Sequence, residues 1–313
     1  MKIFGPVPSR RLGRSLGINN IPPKICPYSC IYCQLGRTKK LQVKRRDFYD
    51  PEGLKREVEG KIDRPKGEGS MIDYLSFVPD GEPTLDSRLG ETIDLLKPLG
   101  IEVAVISNAS LIRDAEVRKD LSKADWVSVK VDGISERIWR KINRPHKSLD
   151  IEGILEGIEK FADEFDGTLA TETMLVDGVN DGPEELARVA DFLGKISPNE
   201  TYISIPTRPP AEKWVRSPSK QALTEAYQIF ESKLDSVEHL LGYEGNEFAS
   251  SGDPREDLLS ITSVHPMREE GVRELLKKTE TDWSLVEDLM AEDKIVRAEY
   301  EGEVYYTRKL DNQ

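Results

Sequence analysis

The chain has 313 residues and a formal net charge of −12, which is long enough to bury one large core or two moderate ones. Its only three cysteines fall within eight positions; their odd number and crowding exclude a fold held by disulfides, and no apolar run reaches the roughly 18–20 residues of a membrane span. Clustered cysteines of this kind fit a reducing compartment, so we expect a cytoplasmic protein.

The beginning of the chain is basic, whereas the remainder is acidic. Residues 1–46 contain eleven lysines and arginines and no acidic residue, so the other 267 residues carry −23, which is −12 less the +11 of this segment. A basic segment on an acidic protein focuses positive potential, which predicts an anionic substrate such as a nucleotide, a phosphorylated metabolite or RNA. Alternatively, these charges offset thiolates or pair with the acidic remainder.

A strand predicted over residues 15–21 leads into a loop that contains Cys26, Cys30 and Cys33. Three thiolates in one tight loop can face a single centre, and thiolates bind soft metals and iron–sulfur clusters. Three sulfurs leave one corner of a four-iron cluster open for chemistry. A zinc site or a redox dithiol is the alternative, but zinc needs a fourth ligand, and the three histidines lie far along the chain.

The spacing Cys-x₃-Cys-x₂-Cys, with Tyr32 just before the last cysteine, resembles the signature of the radical S-adenosylmethionine (SAM) superfamily. The resemblance implies a [4Fe–4S] cluster on Cys26, Cys30 and Cys33, with SAM chelating the open iron. It also implies one-electron cleavage of SAM to a 5′-deoxyadenosyl radical that abstracts hydrogen from the substrate, and a low-potential ferredoxin or flavodoxin as electron donor.

The segment over residues 5–37 is similar to a subgroup of prokaryotic iron–sulfur oxidoreductases related to tRNA wyosine-base synthases. This chain lacks the further cysteines that hold a second cluster in those synthases. The resemblance therefore implies the radical chemistry but leaves wyosine synthesis in doubt.

Beyond the cysteines, predicted strands and helices alternate. Strands are predicted over residues 71–78, 101–107, 126–131, 168–176 and 201–205. Helices are predicted over residues 51–62, 86–99, 114–123, 135–142, 149–165 and 183–196. With the strand before the cysteines, this pattern gives six βα units and predicts an α/β fold, a partial (β/α)₆ TIM-like barrel, which the resemblance also implies. Its sites should lie at the C-terminal ends of the strands.

Polar residues follow the second and third predicted strands. The second ends in a motif that contains Gly81, Glu82 and Pro83, where glycine permits close backbone approach. The resemblance implies that this motif binds the amino group of SAM, whereas an ordinary turn is the alternative. Ser107 and Asn108 end the third strand; similar positions contact a ribose in relatives, but both residues also suit a turn or a helix cap.

Charged residues mark the later strands. Lys130 and Asp132 face the same side of the fourth strand, and a lysine inside a barrel requires a partner. We expect Lys130 to bind the SAM carboxylate, as in some relatives, or else to pair with Asp132. Asn180 lies where relatives pack the adenine. Glu172 faces the substrate or is solvated, and Arg208 binds an anion or is exposed on a proline turn.

After residue 210 the pattern changes. A helix is predicted over residues 217–237, a stretch with glycine and serine over 242–252, two helices near 268–278 and 283–291, and a hairpin of strands near 295–300 and 304–308. The last part is similar to a winged helix, so we predict a barrel domain over residues 1–236 and a winged-helix-like module over 253–313. Residues 253–311 contain nine basic and sixteen acidic residues, which favours protein contact or a lid over DNA binding.

Three functions remain open. The preferred one is hydrogen abstraction from an anionic substrate, either RNA or a nucleotide-like molecule. The second is modification of another protein, as by a glycyl-radical activase, with the C-terminal module docking the partner. The third is a metal-binding adaptor without enzymatic activity.

Overall fold

A computed structural model describes residues 2–38, 40–62, 72–240, 253–264 and 266–309. The strands in chain order are β1 (Ile3–Ser9), β2 (Gly13–Ile18), β3 (Ile25–Cys26), β4 (Lys40–Leu41), β5 (Tyr74–Phe77), β6 (Glu102–Ser107), β7 (Trp126–Lys130), β8 (Thr168–Met174), β9 (Glu200–Ser204), β10 (Val237–Leu240), β11 (Met267–Arg268), β12 (Ile295–Tyr300) and β13 (Glu303–Arg308). The helices are α1 (Pro51–Ile62), α2 (Leu89–Leu96), α3 (Ala115–Leu121), α4 (Glu136–Asn143), α5 (Ile151–Glu164), α6 (Pro183–Ile196), α7 (Lys220–Glu231), α8 (Pro254–Val264), α9 (Glu269–Lys278) and α10 (Ser284–Ala291).

Eight strands form one curled half-barrel sheet in the order β1–β2–β5–β6–β7–β8–β9–β10. Every neighbouring pair from β2 to β10 is parallel, and only β1 is antiparallel to its neighbour. The predicted α/β partial barrel is therefore confirmed, with β2 and β5 to β9 as its six predicted strands.

Two strands of this sheet were not predicted. The sequence of β1 contains Pro6 and Pro8, which weaken a strand signal but are tolerated on an edge strand because one side of its backbone needs no ladder. The helix predicted over residues 217–237 is α7, which ends at Glu231, and the chain then forms the short edge strand β10. The sequence pattern thus gives the interior strands better than the edges.

The sheet is buried on both faces, as expected of parallel strands. Its outer face packs under the helices through residues such as Leu75, Val103 and Val127. Its inner face has a smaller apolar cluster, which consists of Leu12, Ala104, Trp126, Ala170, Tyr202 and Leu240. Leu12 comes from the turn between β1 and β2, so this hairpin closes the floor of the half-barrel.

The C-terminal part contains α8 to α10 and a three-stranded sheet in the order β11–β13–β12. The two predicted helices and the hairpin are present, together with α8 and β11, which were not predicted; likeness to a winged helix stays a prediction. The stretch over residues 242–252 lies outside the described residues. The Tyr305 hydroxyl donates to the Thr207 carbonyl at 2.7 Å, and Val7 of β1 packs on the core of this part.

No helix in the described part of the chain is both long and apolar enough to cross a membrane.

Candidate active site

The cysteine loop is fixed to the end of α4. The Ile31 amide donates to the Ile142 carbonyl at 2.9 Å, and the His146 amide donates to the Pro27 carbonyl at 2.8 Å. In the core beneath, the Trp139 indole donates to the Tyr28 hydroxyl at 3.0 Å. A loop held by backbone bonds and a buried aromatic pair keeps its side chains in place.

The sulfurs of the loop accept hydrogen bonds from side-chain amides. Asn108 Nδ2 lies 3.2 Å from Cys26 Sγ, and Asn143 Nδ2 lies 3.4 Å from Cys30 Sγ. The Tyr28 amide is 3.4 Å from Cys26 Sγ. Donors aimed at sulfur stabilise a thiolate more than a thiol, and they also tune the potential of a cluster bound there.

The three thiols are close enough to affect one another. Burial raises the pKa of Cys30 to about 12, and burial together with the charge on Cys30 raises the pKa of Cys26. Burial also raises the pKa of Cys33. Three neighbouring thiolates therefore need a cation to hold them deprotonated, and a coordinated metal does this directly. Such a donor set fits an iron–sulfur cluster.

The three sulfurs need not converge on one atom. Among residues 2–38, 40–62, 72–240, 253–264 and 266–309, no three side chains of the His, Cys, Asp and Glu types are gathered around a point where one metal ion could bind. A single zinc ion needs its ligands around one point, whereas each thiolate of an iron–sulfur cluster ligates its own iron.

The strand end after β5 is built around the buried carboxylate of Glu82. Oε1 accepts from the Thr84 hydroxyl at 2.6 Å and the Ser107 hydroxyl at 2.7 Å, and Oε2 accepts from the Asn108 amide at 2.8 Å. Burial raises the pKa of Glu82. The carboxylate thus joins the ends of β5 and β6. Oε2 accepts no second bond from the described residues, which leaves one of its lone pairs for a ligand.

Gly81 brings this strand end against the cysteine loop. A Cβ at Gly81 would lie 2.1 Å from the carbonyl oxygen of Ile25, which no side chain allows. The Glu82 amide donates to the same carbonyl at 3.1 Å. The glycine of the motif is therefore required by close approach of two backbones, as predicted from the sequence, and buried Pro83 starts the short 3₁₀ turn that follows.

Lys130 is paired inside the half-barrel, but not with the predicted partner. Its Nζ donates to Glu172 Oε1 at 2.7 Å, and Arg11 Nη1 donates to Glu172 Oε2 at 2.5 Å. Burial alone would raise the pKa of Glu172, but Lys130 and Arg11 outweigh it and hold that pKa well below its usual range. The alternatives of a Lys130–Asp132 pair and of a solvated Glu172 are therefore wrong.

Asp132 has its own set of donors. Its carboxylate accepts from the Tyr32 hydroxyl, from Asn143 Nδ2 at 2.7 Å and from the Met174 amide at 2.9 Å. The Lys130 ammonium lies 5.5 Å from the centre of the Tyr32 ring. Burial raises the pKa of both Tyr32 and Asp132. Tyr32 thus links the cysteine loop to the end of β7.

Asn180 lies behind the strand ends. Its Oδ1 accepts from the Val176 amide, and its Nδ2 donates to the Asp132 and Met174 carbonyls, each at 2.8 Å. Ser107 is likewise occupied, because its oxygen donates to Glu82 and accepts from the Ala109 amide. Both residues therefore shape the site, and their predicted contacts with SAM stay predictions.

A cavity of about 140 Å³ lies inside the half-barrel beside the cysteine loop. The β1–β2 hairpin, the end of β5 and the loop after β9 enclose it. Its polar lining consists of Ser9, Arg11, Ser15, Gln34, Ser76, Asp80 and Arg208. Arg208 donates to Gln34 Oε1 at 3.0 Å and is partly buried rather than exposed on a turn. Burial raises the pKa of Asp80 to about 7.

The structure brings most of the predicted site residues together. Cys26, Glu82, Ser107 and Asn108 form one connected group, and Tyr32 and Lys130 form a second beside it. Sequence reasoning missed Asn143, which ends a helix before a proline and has no motif around it. It also missed the direct contact of Arg11 with Glu172, which joins residues 161 positions apart.

The chain is similar to known proteins along nearly its whole length. The profile of the radical SAM superfamily matches residues 20–193. A UPF0026 protein of Methanocaldococcus jannaschii is 45% identical over 312 residues, which cover 99% of this chain and 97% of that protein.

Solved structures show the same fold at low sequence identity. A radical SAM methyltransferase from Sphaerobacter thermophilus matches with a TM-score of 0.56 and 14% identity, over 74% of this chain and 67% of that one. TYW1 with a lysine–pyruvate adduct bound matches with a TM-score of 0.54 and 17% identity, over 71% of this chain and 74% of that one.

Proposed function

Because the chain belongs to the radical SAM superfamily, whose members are enzymes that use a [4Fe–4S] cluster and SAM, we propose that Cys26, Cys30 and Cys33 ligate that cluster. We propose further that the enzyme abstracts a hydrogen atom from an anionic substrate. When bound, the cluster would cleave SAM with one electron, and the 5′-deoxyadenosyl group released from SAM would abstract hydrogen from the substrate.

One residue carries the assignment. Asn108 donates its backbone amide to Glu82 Oε2 and its side-chain amide to Cys26 Sγ. It therefore places the Gly-Glu-Pro motif and the cysteine loop side by side, although Cys26 and Glu82 are 56 positions apart in the sequence. A cluster held by Cys26 would therefore lie beside the motif, which is the arrangement that binding of an amino acid such as SAM at that cluster would require.

Two groups are available to the methionine end of SAM. Glu82 Oε2 has a lone pair directed away from Asn108, which suits an ammonium group. An ammonium has three donors, and Glu172 accepts one from Lys130, so Lys130 can also donate to a carboxylate. Glu172 and the Tyr32 ring hold Lys130 in this position.

An anionic substrate is supported by the charges around the cavity. Arg11 and Arg208 line it, and Lys130 lies beyond Glu172 on the same inner face. The charged residues of the lining itself are Arg11, Arg208 and Asp80, and these leave one excess positive charge when Asp80 is ionised. In the low-dielectric interior, this charge attracts an anion more strongly than the same charge on the surface would.

We propose that the C-terminal part covers the half-barrel rather than binding DNA. The Tyr300 hydroxyl donates to the Pro206 carbonyl at 3.2 Å, one step from the Tyr305 contact on Thr207. Both tyrosines therefore hold the loop that carries Arg208. Because this cover contacts the loop that carries Arg208, it would regulate access to the cavity that Arg208 lines. The acidic surface of the cover remains available to a protein partner such as the electron donor.

The first experiment is anaerobic reconstitution with iron and sulfide, followed by SAM and a chemical reductant. We expect about four irons per chain and the formation of 5′-deoxyadenosine. Each of the variants Cys26→Ser, Cys30→Ser and Cys33→Ser should lose both, because an oxygen ligand replaces a thiolate. The same protein loaded with zinc serves as the control. An iron-loaded wild-type protein that never cleaves SAM would support the adaptor instead.

A second experiment addresses RNA as the substrate. Modified nucleosides of total RNA are compared by mass spectrometry between cells with and without the gene. Loss of one nucleoside would place the enzyme on RNA. Unchanged nucleosides would instead support a metabolite or a protein as substrate.

A further inference from the structure

We propose that the cavity inside the half-barrel binds a small organic acid that carries a hydroxyl or amino group, and that Asp80 and Arg208 select it. This inference rests on the proposed function, because it identifies the class of substrate for that site. It goes beyond that function in excluding a whole nucleotide from the cavity.

The size of the cavity limits the ligand. Its volume is about 140 Å³, and an engineered protein cavity of about 150 Å³ accommodates benzene. A molecule of roughly six to ten non-hydrogen atoms is therefore the largest that the cavity encloses. A nucleotide, with its base, sugar and phosphate, is too large for it.

Asp80 lines the cavity, and one of its side-chain oxygens accepts no hydrogen bond from the described part of the protein. The residue is 3% exposed, and its Oδ1 is buried without a hydrogen-bond partner among the residues that the structure describes. A buried carboxylate oxygen that lacks a donor is unfavourable. A ligand hydroxyl or ammonium group supplies the missing donor.

Asp80 is not needed to hold its own backbone in place. Its amide donates to Asn19 Oδ1 at 3.1 Å, and its carbonyl accepts from the Lys24 amide at 2.6 Å. Both bonds use main-chain atoms of Asp80. Its side chain can therefore serve the cavity, and a change to asparagine leaves these bonds intact.

The opposite charge comes from two arginines on different elements. Arg11 Nη1 is paired with Glu172, but Arg11 Nε is buried and has no acceptor within the described part of the chain. Arg208 enters from the loop after β9 and contacts Gln34. Guanidinium groups match the two oxygens of a carboxylate. Two residues of the cavity lining, Asp80 and Arg11, therefore each keep one buried polar atom without a partner in the described part of the chain, and Arg208 adds a second guanidinium group to the same lining.

The cavity also lies next to the two segments that we assign to the cluster and to SAM. Gln34 and Leu35 line it and directly follow Cys33 in the chain, while Asp80 directly precedes Gly81 of the motif. The ligand would therefore lie between the cysteine loop and the strand end that we assign to SAM. A carbon that bears the hydroxyl or amino group would be the one nearest Asp80.

Equilibrium dialysis with mass spectrometry tests the inference on the full-length protein. The probes are the small-molecule ultrafiltrate of a cell extract and, separately, total RNA from the same cells. Wild type is compared with Asp80→Asn and Arg208→Gln, which change different strand ends. Asp94→Asn is the matched control, because Asp94 is an exposed aspartate on α2. Circular dichroism verifies that each variant is folded.

We expect wild type and Asp94→Asn to retain at least one small organic acid that contains a hydroxyl or amino group. Asp80→Asn and Arg208→Gln should each weaken its retention at least about tenfold, as the loss of a charge-assisted hydrogen bond requires. Retention of RNA or nucleotides only, of no such acid, or of the acid equally by both variants would overturn the inference.

Different results would contradict the proposed function and the proposed ligand. If wild type cleaves SAM but retains no such acid, only the identity of the ligand is wrong. If it retains the acid but never forms 5′-deoxyadenosine, the cavity stands as a binding site and the radical chemistry is wrong.

Discussion

The substitution Glu172→Gln tests whether the inner face of the half-barrel depends on one carboxylate. The Glu172 side chain is only 6% exposed, and it holds the Arg11 and Lys130 side chains, which are 15% and 19% exposed. It also accepts from the Ser204 hydroxyl at 2.8 Å. A neutral amide of the same size would leave Arg11 and Lys130 without the carboxylate that both of them contact.

The expected loss is large. Removal of one partner from a buried ion pair costs about 3–5 kcal/mol, because the other charge remains buried and unpaired. Unfolding entropy of about 2.1 cal/mol/K per residue gives roughly 660 cal/mol/K for 313 residues. A loss of this size therefore lowers Tm by about 5–8 °C.

Calorimetry of wild type and variant at one scan rate measures this shift. Glu164→Gln is the control, since Glu164 is 56% exposed and its pair with Arg118 spans 3.4 Å. Surface pairs contribute about 0–1 kcal/mol, so the control should shift Tm by no more than about 2 °C. An equally small shift for Glu172→Gln would refute the reasoning, because the two cations would then be solvated or paired elsewhere.

The pH dependence gives a second check on the same variant. The folded-state pKa of Glu172 is depressed, so its stabilising contribution is fully present above the unfolded value of about 4.3 and is lost as pH falls through the folded pKa. The gap in Tm between wild type and Glu172→Gln should therefore stay constant from about pH 7 to 5 and narrow only in stronger acid. A gap that closes already near pH 6 would contradict the assigned ion pairs.

Three further predictions concern the site and its cover. Asn108→Ala and Asn143→Ala should each lower the reduction potential of the reconstituted cluster by about 20–60 mV, since one hydrogen bond to sulfur is worth about 0.5–1.5 kcal/mol. A redox titration monitored by EPR measures this potential, and unchanged values would rule out these bonds. Gly81→Ala should weaken SAM binding at least about tenfold in equilibrium dialysis, because its methyl group overlaps a carbonyl of the cysteine loop, and unaltered affinity would remove the motif from the SAM site. Tyr305→Phe should lose about 1 kcal/mol of stability with its bond to Thr207, whereas full stability would mean that the C-terminal part is not held there.

The sequence was most informative where spacing and strand order determine the chemistry. The cysteines could be proposed as cluster ligands because three thiols within eight positions suit a shared cluster better than a disulfide framework or a four-ligand zinc site. Glu82 could be placed because a parallel strand puts its C-terminal end at the mouth of a barrel. Gly81 could be interpreted because glycine permits an approach that any Cβ blocks.

Contacts between distant segments could not be predicted in the same way. Asn143 contacts Cys30 only because α4 ends against the cysteine loop, and nothing near Asn143 in the sequence indicates this. Lys130 was expected to need a partner, but alternation along one strand suggested Asp132. The true partner, Glu172, lies beside it on the neighbouring strand, and the register that aligns Lys130 with Glu172 is a property of the sheet.

The hairpin that closes the floor of the half-barrel is synthesised early, but it can reach its folded position only after later strands have been made. Arg11 is synthesised early, but its partner Glu172 follows 161 residues later. At about 5–20 residues per second, a ribosome needs roughly 8–30 s to make that interval. During this time the basic hairpin has no complete inner face to contact. The cysteine loop lacks the first asparagine that contacts its sulfurs until Asn108 is made, and the second until Asn143 is made. The oldest part of the nascent chain is therefore among the last to reach its final surroundings.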